Sequence, residues 1–146
     1  MQPYPHTYSA QAGGSATGTV PVVSGALPAI ETAPPAEFDG PGNTWSPETL
    51  LVASIADCFI LTFRGVSRAG KFSWKRLECV VEGTLERVDG VAQFTRFTTR
   101  PTLTVDVGAD PVKARELLER AEKFCLVANS LRGERVLDAK IIEDAK

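Results

Sequence analysis

One apolar run, bounded by clear start and stop signals, constrains this chain more than any other feature. Residues 46 to 63 read SPETLLVASIADCFILTF. Ser46 is a good N-cap, Pro47 suits the first helical position, and Glu48 complements the positive end of a helix dipole. The pattern predicts a helix from Pro47 to about Ala69, with Gly70 as its stop. Leu50, Leu51, Val52, Ile55, Phe59, Ile60 and Phe63 fall around most of its circumference. A helix apolar on nearly every side must be covered on nearly every side. A chain of 146 residues has little surface to spare for that, and a second copy would supply it. The longest apolar stretch, Leu50 to Phe63, is interrupted by Asp57 and is short for a bilayer span.

Length and composition bound the remaining classes. A chain of 146 residues, 43% hydrophobic and 23% charged, is expected to form a single globular domain over 1–146. Net charge is −2, which argues against nucleic acid or an anionic membrane as partner. The charges are unevenly placed. Residues 1 to 63 carry Glu31, Glu37, Asp39, Glu48 and Asp57 but no Lys or Arg, so all 16 basic residues lie from Arg64 onward. The N-terminus lacks a basic segment followed by an apolar run, so no signal peptide is expected and the cytoplasm is the default location. There, Cys58, Cys79 and Cys125 would be reduced. They form no CxxC motif, and His6 is the only histidine, which argues against a zinc site or a Cys–His nucleophile. Cysteine redox chemistry needs neither metal nor histidine.

Around the helix the chain reads as strands. HTYSAQ, GTVPVV and PAIETA form three short ones, with Pro21 marking an edge or bulge. PPAEFDGPGNTW, residues 34 to 45, is a Pro/Gly-rich loop leading into the helix. In residues 74 to 87, Leu77, Cys79, Val81 and Leu85 alternate with polar residues, Asp89-Gly90 turns the chain, and QFTRFTTRPTLTVDV returns, with Pro101 at a bulge or edge. Cys79 falls on the core face and reads as a small hydrophobe. Asp110-Pro111 starts an amphipathic helix with Leu117, Leu118, Ala121 and Phe124 inward and Arg115, Glu119, Glu122 and Lys123 outward. Cys125 ends it, LVANSL adds a short helical turn, Gly133 breaks that, and RVLDAKII is a final strand. The order is β-β-β-α-β-β-α-β, an α+β class.

Cys58 within SPETLLVASIADCF, Glu48 ten residues before it, and Cys125 within AEKFCLVANSL together resemble the OsmC/Ohr family of osmotically inducible and organic-hydroperoxide-resistance proteins. ETAPPAEFDGPGNTWSPE and the hairpin ERVDG…FTRFTTRPTLTV resemble it too, so the likeness spans about residues 4 to 142. The resemblance implies an OsmC-like fold completed as an intertwined homodimer, with two central helices wrapped by sheets and active sites at the subunit interface. It also implies a peroxidatic role for Cys58, a resolving role for Cys125, and for Glu48 the orientation of a catalytic arginine. The chemistry implied is thiol-dependent reduction of organic hydroperoxides without a cofactor or metal. A Cys58 sulfenate forms, Cys125 condenses with it to a disulfide, and a dithiol reductant, lipoyl-type for example, reopens that bond. Ile55, Phe59 and Leu61 around Cys58 would suit alkyl or lipid hydroperoxides.

Two positions depart from the family pattern. Peroxidase members carry an arginine in their N-terminal strands; AGGSATGTV occupies that region here. Leu126 stands where a proline often follows the second cysteine. A thiol reactive at neutral pH needs a nearby cation or helix N-terminus, so Arg64, Arg68, Arg96 and Arg100 are candidate substitutes. Two other readings stand beside the peroxidase: a non-catalytic dimer holding an apolar ligand in the interface pocket, and a stress-induced dimer without chemistry.

Overall fold

The computed structural model describes all 146 residues. They fall into two compact units, Met1–Leu51 and Val52–Lys146.

In the first unit β1 (Gln11–Ala12), β2 (Val20–Val23) and β3 (Ile30–Thr32) form an antiparallel sheet in that order. Only Gln11 of the expected HTYSAQ strand joins the ladder, opposite Val23. Pro21 is on the central strand, not an edge. The position tolerates proline because β1 stops opposite Val22, and beyond it only the Gly13 N–H reaches over, donating to the Pro21 carbonyl at 3.4 Å. After β3 a 3-10 turn (Ala36–Phe38) ends in left-handed Asp39, and the chain doubles back at Gly40. A Cβ on Gly40 would lie 1.6 Å from the Pro34 carbonyl oxygen, so the turn needs glycine. The loop then returns to β3, where the Ala33 N–H donates to the Trp45 carbonyl at 2.9 Å.

The main helix, α1 (Pro47–Ala69), has the boundaries its capping residues predict. The Ser46 hydroxyl accepts from the Thr49 N–H at 3.1 Å, the Thr49 hydroxyl oxygen accepts from the Ser46 N–H at 2.9 Å, and Gly70 closes the last turn. By length and composition α1 passes the test for a bilayer span, its most apolar 18-residue stretch having a mean hydropathy of 1.7, although the Leu50–Phe63 run alone is short. The all-round burial expected of it is not supplied by one chain. Ile55, Phe59, Phe63 and Ser67, four residues apart, form a single buried stripe, while Leu61 is 53% exposed.

In the second unit β4 (Arg76–Val88) and β5 (Val91–Asp106) form a long hairpin closed by Asp89 and Gly90, both at positive φ. The bulge lies between Thr84 and Leu85, opposite Thr95, rather than at Pro101. β5 is central. Its other side pairs in parallel with two strands, β6 (Glu134–Leu137) and β7 (Lys140–Asp144), where the sequence suggests one. β6 ends opposite Thr99 and β7 begins opposite Thr102, so buried Pro101 sits at the gap, where no ladder bond is asked of it. Between the hairpin and β6 run α2 (Pro111–Phe124) and the single-turn α3 (Leu126–Asn129). Asp110 caps α2 through hydrogen bonds from the Val112 and Lys113 N–H groups. Phe59 and Phe63 of α1, Leu77 of β4, Leu103 and Val105 of β5, and Leu117 and Leu118 of α2 make one core.

Candidate functional site

Cys58 and Cys125 come together in the second unit. Cys58 projects from the middle of α1, half-buried, with its Sγ 3.9 Å from the Thr62 hydroxyl one turn on. Cys125 caps the junction of α2 and α3 and is fully buried. Its Sγ approaches the Ile55 carbonyl of α1 at 3.9 Å, which sets it against the helix face bearing Cys58. Burial pushes the Cys125 thiol up to about 11; the Ala128 backbone works against that, and hydrogen bonding and charge from Cys58 and charge from Glu122 add to it. All three cysteines are free thiols. Ile55 and Phe59 are buried beside them, whereas Leu61 turns outward.

Cys79 is on the core face of β4 as its alternation predicts, but its surroundings are not purely apolar. Burial raises its thiol to about 12, with the charges of Glu122 and Cys125 adding to the effect. Three thiols and one carboxylate therefore share this corner.

Glu122 is the residue the helical periodicity misplaces. It was expected on the water face of α2, yet it is largely covered. Its Oε1 accepts from Arg135 Nε on β6 at 2.7 Å, Arg135 Nη2 donates to the Glu122 carbonyl, and Arg135 Nη1 donates to Asn129 Oδ1 at 2.6 Å. Glu122 Oε2 is buried without a hydrogen-bond partner. Phe124 makes the opposite exchange and is 52% exposed, beneath Arg120 and Lys123. Arg135 lies beyond the end of α2, on β6, so the periodicity of the helix alone could not announce this ion pair.

The candidate arginines divide in two. Arg96 pairs with Glu134 at 2.9 Å, and Arg100 with Glu82 at 2.7 Å and Asp138 at 3.4 Å. Arg64 and Arg68 are exposed on α1. No arginine of the chain forms a hydrogen bond or ion pair at Cys58. Glu48 belongs to the first unit, in the opening turn of α1, where its Oε2 is buried and unpartnered.

Residues 40–140 match the family model described as OsmC-like protein. The chain belongs to the OsmC-like family. Among curated proteins it is 28% identical over 112 residues to YmaD of Bacillus subtilis, covering 73% of this chain and 75% of that one. An OsmC-like protein of unknown function from Vibrio cholerae superposes with a TM-score of 0.84 at 16% identity, over 92% of this chain and 99% of the other. The organic hydroperoxide resistance protein OsmC of Legionella pneumophila gives 0.74 at 25% identity, over 95% and 98%. OhrB of Bacillus subtilis, also an organic hydroperoxide resistance protein, gives 0.66 at 22% identity over 94% and 98%. The family match includes Glu48, Cys58 and Cys125, so the thiol pair of this OsmC-like chain lies within the matched region.

Proposed function

We propose that this OsmC-like protein is a thiol-dependent peroxidase that reduces organic hydroperoxides through Cys58 and Cys125. One observation carries the reading: a half-buried thiol within solvent's reach stands beside a fully buried one. Core packing alone does not call for that arrangement. Cys58 as thiolate attacks the peroxide O–O bond, taking one oxygen as sulfenic acid and releasing the alcohol. The Cys125 sulfur then displaces that oxygen as water, and the Cys58–Cys125 disulfide forms. A dithiol reductant, lipoyl-type for example, returns both thiols while it is itself oxidised to a disulfide. No cofactor or metal enters these steps.

The assignment of Cys125 to the second step fits its burial. A thiol raised to about 11 is a poor first nucleophile at neutral pH but is shielded from adventitious oxidation until Cys58 is oxidised. The apolar neighbours Ile55 and Phe59 favour alkyl or lipid hydroperoxides over hydrogen peroxide. A cation that activates Cys58 comes from Arg64 or Arg68 of either copy more readily than from Arg96 or Arg100, which are engaged with carboxylates on the sheet.

The working protein is a homodimer in a reducing, cytoplasmic compartment. The support is α1, which has one buried stripe and leaves apolar residues such as Leu61 exposed, a face that a second copy would cover.

The experiment is to mix reduced protein with tert-butyl hydroperoxide, count free thiols over time and map disulfides by mass spectrometry. A Cys58–Cys125 bond with Cys79 free is expected. Cys58→Ser should abolish turnover, and Cys125→Ser should let Cys58 over-oxidise. Persistence of three free thiols in excess hydroperoxide would refute the reading. A specific observation favours one rival in that event: no cation contacts Cys58 within the chain, which suits a non-catalytic dimer binding an apolar ligand.

A further inference from the structure

Cys125 must give up its proton when it attacks oxidised Cys58, and the fold places a carboxylate where it opposes that loss. Burial is the main cause that pushes the Cys125 thiol up to about 11, and the charge of Glu122 on α2 adds to it. The same charge adds to the rise of Cys79 on β4, again after burial. Glu122 Oε2 is shielded from solvent and accepts no hydrogen bond, so nothing disperses the charge on that side.

One cation answers it. Arg135 Nε donates to Glu122 Oε1 at 2.7 Å, and both side chains are largely covered, so water screens the pair only in part. Arg120 and Lys123, nearby on α2, lie over the exposed Phe124 ring instead. The rest of the Arg135 fork brackets Cys125. Nη2 donates to the Glu122 carbonyl, which also accepts from the Cys125 N–H at 3.4 Å. Nη1 donates to Asn129 Oδ1 at 2.6 Å, and the Asn129 N–H donates to the Cys125 carbonyl at 2.9 Å. These bonds fix the guanidinium against the carboxylate and tie both flanks of the α2–α3 junction to β6. Gly133 makes the placement possible. Its φ is +117°, and a Cβ there would lie 3.1 Å from the Thr95 backbone. Two residues on, Arg135 pairs with Phe97 in the β5–β6 ladder.

We propose that Arg135 is a positioning residue for disulfide formation, holding the Cys125 junction and cancelling the Glu122 charge that opposes attack on oxidised Cys58. The proposal rests on the peroxidase reading for the oxidant and for the roles of the two cysteines. In the step itself the Cys125 sulfur bonds to the Cys58 sulfur, the sulfenic S–O bond breaks, and the Cys125 proton leaves with the oxygen as water. Arg135 exchanges no proton. The groups that feel Glu122 when Arg135 is lost are Cys125 at the helix junction and Cys79 on β4, with Cys58 of α1 acting on Cys125.

The test compares the parent, Arg135→Ala, Glu122→Gln and the double variant in a single turnover with tert-butyl hydroperoxide. Released alcohol reads the first step, and mapped disulfide reads the second. Arg135→Ala should leave the first step within about twofold and slow the second about tenfold, the effect of one unit in a thiol's ionisation, with more over-oxidised Cys58. Glu122→Gln should form the disulfide at least as fast as the parent. In the Glu122→Gln background Arg135→Ala should alter the second step less than about threefold, because no charge remains to cancel. Arg135→Lys, which keeps the charge without the fork, should come within about threefold of the parent. Equal slowing by Arg135→Ala in both backgrounds would make Arg135 a tether only and overturn the proposal. Should Arg135→Ala fold poorly, a Glu122→Gln variant slower than the parent overturns it equally. Diamide, which joins neighbouring thiols without a hydroperoxide, separates this proposal from the peroxidase reading. A parent inert to hydroperoxide whose diamide-driven Cys58–Cys125 bond shows the same dependence on Arg135 and Glu122 would sink the peroxidase and keep the role of Arg135. Failure of diamide to join Cys58 to Cys125 in the parent overturns it.

Discussion

Replacing Arg135 with alanine probes both the stability of the chain and the environment of its thiols. Arg135 holds the last turn of α2 to β6 through bonds to the Glu122 carboxylate, the Glu122 carbonyl and Asn129. The paired side chains are 26% and 15% exposed. An exposed pair contributes about 0–1 kcal/mol, while removing one partner of a fully buried pair costs about 3–5 kcal/mol. This pair lies between those limits, so Arg135→Ala should cost about 2–3 kcal/mol. For a chain near 150 residues, each kcal/mol moves Tm by roughly 2–4 °C, giving a drop of about 5–10 °C. The assay is thermal unfolding followed by circular dichroism, with reductant present and protein concentration fixed, because a dimer's Tm depends on concentration. The alanine variant also strands the Glu122 carboxylate beside Cys79 and Cys125. Adding Glu122→Gln should therefore recover part of the loss, and the double-mutant cycle isolates the coupling. The stranded charge should further slow disulfide formation after peroxide, since negative charge opposes the Cys125 thiolate. A Tm change below about 2 °C, or no recovery in the double variant, would refute this account of the pair.

Ser46→Ala removes the hydroxyl that accepts from the Thr49 N–H and should cost about 1 kcal/mol in urea unfolding. Gly83→Ala places a Cβ 2.8 Å from Phe94 Cε1 and 3.0 Å from Val52 Cγ1, so it should lower the urea midpoint; an unchanged midpoint would mean the Phe94 ring moves aside freely. Alkaline stability should follow Cys79. Its folded thiol titrates at about 12 against an ordinary value of 9.0, so the unfolded chain loses its proton first. Stability is then intact below about pH 9 and falls as pH rises toward 12, and Cys79→Ser should flatten that decline between pH about 8 and 10.5, measured by urea midpoints.

The elements that could be read directly from the sequence are those with local causes. Ser46, Pro47 and Gly70 set both ends of α1, Asp110 and Pro111 set the start of α2, and Asp89-Gly90 turns the hairpin, because caps and positive-φ turns depend on a few consecutive residues. The likeness of the segments around Cys58 and Cys125 likewise sufficed to place the chain in its family. What only the tertiary structure decided depends on distant segments. Pro21 and Pro101 are tolerated in central strands because the neighbouring strands happen to end there. The last strand divides in two at Asp138, whose N–H is taken by the Thr99 carbonyl of β5 at 2.9 Å. Glu122 reads as a solvated helix residue until β6 brings Arg135 against it, and Cys79 reads as inert core until α2 brings Glu122 and Cys125 to its face. The orphaned oxygen of Glu48 is also invisible in one dimension, because it depends on the 3-10 turn folding back to shut out water. Helix ends are written in neighbouring residues; the charges and thiols that face one another are chosen by chain closure over long distances.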